Sequence, residues 1–140
     1  MPAPEVTYQR EEALDPKEYI DVLERSTLSE RRPVNDMPRI EAMCRHANLF
    51  VTARIDGKLV GVARSFTDFV FCTYLSCLAV DQAHQRRGIG IRLIKETKRH
   101  TPTAELILLA APAAEEYYPK TGMTRFTHTF LLDNVDDLKV

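Results

Sequence analysis

The stretch LAVDQAHQRRGIGIRLI, Leu78 to Ile94, decides how the rest of the chain is read. It starts as the end of an apolar run and crosses the polar loop DQAHQRR. It then enters a segment whose Ile89, Leu93, Ile94 and Thr97 fall on one helical face. Two of the chain's five glycines, Gly88 and Gly90, stand at the mouth of that helix. A turn needs one glycine at most. A helix start offers free N–H groups and the positive end of the dipole. Glycines there remove the Cβ atoms that would hold an anion at a distance. Arg86 and Arg87 add positive charge beside them. The pattern predicts a phosphate or pyrophosphate site over residues 85–90, with an ordinary tight entry turn as the competing reading.

The two common phosphate motifs do not fit. A P-loop needs Gly-Lys followed by Ser or Thr, and Gly90 is followed by Ile91 and Arg92. A dinucleotide fingerprint needs a third glycine at position 93 and an acidic residue about 20 positions on. Leu93 and Leu108 stand there instead.

Upstream of this stretch the pattern is that of a meander. Leu49 to Ile55 alternates and is β-branched, Asp56-Gly57 is a hairpin turn, and Lys58 to Phe66 returns. Thr67-Asp68 is a weaker turn, and Phe69 to Val80 reads as a third long strand. Downstream, the helix from about Gly88 ends at Thr101-Pro102. Glu105 to Ala110 then reads as a strand buried on both faces. A strand, a crossover helix and a second strand imply a parallel pair. The sheet must therefore change character between Phe69–Val80 and Glu105–Ala110, and a cleft opens where neighbouring strands diverge.

The ends complete the outline. Val6 to Gln9 is a short first strand. Asp15-Pro16-Lys17-Glu18 opens a helix with a cap, a first-position proline and a third-position Glu. SERRPVN, Ser29 to Asn35, breaks the pattern. Asp36 opens a second helix, with Ile40, Met43, Cys44 and Ala47 along one face. Pro112 starts a short helix through Tyr118, Thr124 to Leu132 alternates as a last strand, and residues 134–140 form a frayed acidic tail. The fold class is α/β of the α+β type: a mixed central sheet, antiparallel at its N-terminal side, with a parallel splayed pair and about four helices.

At 140 residues the chain is expected to form a single domain, 1–140. The net charge of −1 creates no global field for nucleic acid or an anionic membrane. The apolar stretch around Ile107 to Ala111 is too short to cross a bilayer. MPAPEVTYQREE carries no secretory pattern, so a cytoplasmic location is expected. Cys44, Cys72 and Cys77 read as small buried hydrophobes. The odd spacing of the last two puts them on opposite sides of a regular strand, and no metal site is expected.

With these elements in place, the sequence resembles the GCN5-related N-acetyltransferase (GNAT) family. Gln85-Arg86-Arg87-Gly88-Ile89-Gly90 matches that family's Gln/Arg-x-x-Gly-x-Gly/Ala motif in full. YYPKTGM, Tyr117 to Met123, looks like its aromatic-Tyr-x-x-x-Gly-aromatic element, with Met123 in place of the final aromatic. The resemblance covers nearly the whole chain. It implies acetyl-CoA as cosubstrate and no metal. The diphosphate would lie on the N–H groups of Gln85, Arg86, Arg87, Gly88, Ile89 and Gly90. The pantetheine arm would lie along Leu78, Ala79 and Val80, with Ala110 and Ala111 flanking the other side. It also implies a bulge in the strand holding Leu78, whose N–H would meet the thioester oxygen.

The implied activity is transfer of an acetyl group to a primary amine of a small molecule or protein, with Tyr118 protonating the leaving thiolate. Tyr117 reads as core. The family's carboxylate base would fall at Cys77, which leaves the base open among Cys77, His84, Asp68, Tyr74 and a chain of waters. Acceptor choice is expected to come from the first two helices, the segment SERRPVND and the Thr67-Asp68 turn, where Arg31 and Arg32 would suit an acidic substrate. The alternatives are a CoA-binding regulatory module without catalysis and a nucleotide-binding module. A homodimer would cover an open sheet edge.

Overall fold

A computed structural model describes residues 4–139. Met1 to Ala3, the start of the stretch read for a secretory signal, and Val140, the end of the expected tail, lie outside the described residues. The chain divides into two compact units, Met1–Leu109 and Ala110–Val140.

The first unit is one five-stranded sheet in the order β1-β2-β3-β4-β5: β1 Thr7–Glu11, β2 Leu49–Ile55, β3 Lys58–Thr67, β4 Cys72–Val80 and β5 Glu105–Ile107. The first four strands pair antiparallel and β4 pairs parallel with β5. Helix α1, Pro16–Ser26, starts where Asp15 accepts a hydrogen bond from the Lys17 N–H, with Pro16 in the first turn. Helix α2, Met37–His46, starts the same way on Asp36, whose carboxylate accepts from the Arg39 N–H. Helix α3, Ile89–His100, is the crossover between β4 and β5.

Two cores lie on opposite faces of the sheet. Tyr19, Val22, Leu23 and Ile40 of α1 and α2 cluster with Phe50, Leu59, Val62, Cys77 and Ala79. Ile89 and Leu93 of α3 cluster with Leu49, Val51, Ala53, Val60, Ala63 and Leu75. Gly61 belongs under α3 because a Cβ there would stand 3.1 Å from both Ile89 Cγ2 and Leu93 Cδ1. No helix among the described residues is long and apolar enough to cross a membrane.

Three expectations about this unit change. The third strand begins at Cys72, not Phe69. Asp68 Oδ1 accepts from the N–H groups of Val70, Phe71 and Cys72, and that bonding curls residues 68–71 into a turn. The strand read as Glu105–Ala110 pairs only over Glu105–Ile107, and Ile107 and Leu109 are exposed. Its apolar run meant burial on two faces, but β5 is an edge strand. Cys72 is exposed rather than buried, and it shares a face of β4 with Cys77. The reason is a bulge: Arg64 pairs with Cys77 while Ser65 pairs with Leu75, so Ser76 is an extra residue that reverses the alternation.

In the second unit, the helix expected from Pro112 to Tyr118 is a 3-10 turn, Pro112–Ala114, followed by α4, Tyr117–Lys120. Gly122 closes α4 with a φ of 98°. Thr124 to Leu132 forms no strand, and Phe126, Phe130, Leu131 and Leu132 are exposed. Alternation selects a face but does not supply the ladder partner that makes a strand. Val135–Asp137, in the expected frayed tail, is a 3-10 turn capped by Asn134.

Candidate active site

The site is built on the second half of β4 and the loop that follows. β4 pairs with β5 only at Cys72, Thr73 and Tyr74. From Leu75 to Val80 it keeps its partner β3 and, among the described residues, pairs with no strand on the other edge. The Asp81 N–H donates to Val60 O at 2.8 Å, which makes that a hydrogen-bonded pair of the antiparallel ladder. Alternation then commits Ala79's polar groups to β3 and turns those of Leu78 and Val80 to the open edge. Val80 O accepts from Gln85 Nε2 at 3.0 Å, on that open side.

Asp81 anchors the loop. Its Oδ1 accepts from the Ala83 N–H at 2.9 Å, and its Oδ2 forms an ion pair with Arg25 of α1. Arg25 also donates to Leu59 O at 2.6 Å. Burial works to raise the Asp81 pKa, but the Ala83 N–H and Arg25 outweigh it and hold the carboxyl below its usual value. Sequence reading missed this pair, since its partners lie 56 residues apart.

Beyond the Gln82–His84 turn, the backbone is shaped by left-handed conformations at Arg86, φ 63°, and Gly88, φ 79°. Arg92 N–H makes the first helical bond, to Gly88 O at 3.0 Å. The N–H groups of Arg86, Arg87, Gly88, Ile89, Gly90 and Ile91 meet no acceptor among the described residues, while that of Gln85 turns back to Gln82 O at 3.4 Å. Nothing lies within 4 Å of a Cβ built on Gly88.

The remaining sequence-predicted residues fall as follows. Ala110, Ala111 and Tyr118 belong to the second unit. Tyr118 is half-buried; burial first, and then Tyr117, raises its pKa, and the two rings meet edge-on at 5.3 Å. Tyr117 is exposed, not core. Asp68 is committed to its turn: the N–H groups of Phe71, Cys72 and Val70 lower its pKa. His84 Nδ1 stands 2.9 Å from Arg87 Nη1. Tyr74 lines a cleft of about 410 Å³ with His46, Phe66 and Ile107. Cys77 is 1% exposed, and its sulfur faces Arg32 Nε at 3.0 Å and Arg64 Nη1 at 3.5 Å.

The family model described as Acetyltransferase (GNAT) domain matches residues 8–138. The chain belongs to the GNAT acetyltransferase family. Among solved structures it is similar to a GNAT-family acetyltransferase from Streptococcus pneumoniae, with 17% identity, a TM-score of 0.68 and coverage of 92% of this chain and 98% of that one. It is also similar to a ribosomal-protein-alanine N-acetyltransferase from Brucella melitensis, with 15% identity, a TM-score of 0.68 and coverage of 93% and 99%. An aminoglycoside acetyltransferase from an uncultured soil metagenomic sample, in complex with sisomicin, gives 18% identity, a TM-score of 0.66 and coverage of 92% and 97%. These likenesses concern the fold. No curated protein matches the chain.

Proposed function

We propose that this GNAT domain transfers an acetyl group from acetyl-CoA to a primary amine by direct attack in a ternary complex. One observation carries the reading. Backbone donors without acceptors among the described residues fall in two groups on one segment of chain, Leu78 and Val80 on the open edge of β4 and Arg86–Ile91 at the start of α3. A diphosphate fits the second group because six free N–H groups face one helix entry, where the dipole is positive. An amide-bearing arm fits the first because an unpaired strand edge accepts a further strand. Ala79 supports this edge through its bonds to β3, and Gln85 supports it through its side chain on Val80 O.

Acetyl-CoA, when bound, supplies a thioester carbonyl as the electrophile. The Leu78 N–H, free on the open edge, donates to that carbonyl oxygen as negative charge develops there. A primary amine must shed a proton to attack. Cys77 stands at the bulge where the family resemblance would put a carboxylate, and the proton is assigned to water. Tyr118 stays protonated through neutral pH because burial raises its pKa, which suits the role that the family resemblance gives it, proton donor to the departing thiolate.

The reading is tested by thermal shift and by thiol release. Acetyl-CoA and CoA should raise the melting temperature and ATP should not. Release of free thiol from acetyl-CoA should rise above the hydrolysis background with at least one class of amine. Stabilisation by acetyl-CoA with background rates for every amine would instead favour a CoA-binding regulatory module.

A further inference from the structure

The four arginines of the first unit that are buried or half-buried fall into two groups. Arg54 holds two carboxylates, Glu11 and Glu18, and Arg25 holds Asp21 and Asp81. Arg32 and Arg64 form no ion pair within the described residues. Arg64 is only 4% exposed; its contacts are Met43 O at 3.1 Å, the Cys77 sulfur, and the Phe66 ring, 4.9 Å from its guanidinium carbon. Arg32 is half-buried in the link between α1 and α2, and it donates only to neutral groups: Arg31 O at 2.8 Å, Ser76 O at 2.8 Å and the Cys77 sulfur. The Tyr19 hydroxyl, fully buried beside Cys77, also lacks a hydrogen-bond partner.

Two cations therefore converge on one sulfur without a counter-charge. Removing charge from water demands an opposite charge nearby. The rest of this unit meets that demand with paired carboxylates; this spot, at the bulge, does not. Arg32 has five N–H donors and uses three, so two remain. Its Ser76 contact lies two residues before Leu78, a strand distance of roughly 7 Å.

We propose that Arg32 reads the acceptor, holding the carboxylate of an amine substrate of amino-acid type whose nitrogen lies within roughly 7 Å of that carboxylate. Arg64 adds positive potential from beneath and stays buried. This rests on the proposed placement of the acetyl group at Leu78.

The test uses the full chain. Thiol release from acetyl-CoA is measured with glycine, L-aspartate and L-glutamate against glycinamide and the corresponding dimethyl esters. In the wild type, kcat/KM should favour the acids by roughly 10- to 100-fold. Arg32→Gln should erase that preference with acetyl-CoA affinity and melting temperature retained, and Arg32→Lys should restore part of it. Neutral amines turned over as well as the acids, or a preference that survives in Arg32→Gln, would overturn the inference and leave the acetyltransferase reading intact. Binding is read separately, without cofactor, from the Arg32 Nε–H resonance titrated with the same acids. A shift with the acids alone supports the inference, and no shift with any acid overturns it even if turnover is absent. Failure of acetyl-CoA itself to bind would count against the cofactor site, not against Arg32.

Discussion

The two halves of β4 meet different neighbours. Thr73 and Tyr74 lie between β3 and β5 with both edges paired, and Cys72 before them is paired with β5 and tied to the Asp68 turn. Leu75 to Val80 are paired on β3 alone, carry the Ser76 bulge and lead into a loop whose amides are unspent. Satisfied backbone is structural, and satisfiable backbone placed on a rigid support is a binding device. The first half holds the sheet together so that the second half can remain open.

Variants at the open end should have the largest consequences for ligand binding. The double change Gly88→Val and Gly90→Val should abolish acetyl-CoA binding in calorimetry. Gly88 needs a positive φ, and the new side chains would stand where the diphosphate lies. Retained binding would count against the site. Tyr118→Phe should lower kcat by about 100-fold with acetyl-CoA affinity spared. An unchanged kcat would remove its role.

Further from the open edge, the expected effects pass from binding to stability. Gly61→Val should destabilise by about 1–3 kcal/mol in urea unfolding, because its side chain would crowd the buried Ile89 and Leu93, which a Cβ alone already approaches to 3.1 Å. Asp81→Asn should cost about 2 kcal/mol at neutral pH. The folded Asp81 pKa is lowered, so its contribution is present above the unfolded value of about 4 and is lost as pH falls through the folded value. The variant should therefore show a flatter acid limb in its stability profile. Asp68→Ala should have the smallest effect: a modest drop in melting temperature and unaltered acetyl-CoA affinity, since it belongs to the paired half.

What the sequence makes legible here is local. Asp15 and Asp36 announce their helices by capping chemistry, Asp56-Gly57 announces its hairpin, and Gly88 and Gly90 announce a helix entry. The bulge in this strand is implied by the family resemblance, but its place at Ser76 has no local signal, because Leu-Ser-Cys reads as ordinary alternation and only the pairing with β3 exposes the extra residue. Arg25 with Asp81 and Arg32 with Cys77 are long-range meetings, 56 and 45 residues apart, which no spacing rule predicts. Thr124 to Leu132 shows the opposite failure, a strand pattern without a strand.

The most direct measurement is an amide chemical-shift titration of the 15N-labelled chain with acetyl-CoA. Saturable shifts are expected at Arg86 through Ile91 and at Leu78 and Val80, with little change from Cys72 to Tyr74. Shifts that spare residues 86–91, or that concentrate on the doubly paired half of β4, would contradict the account.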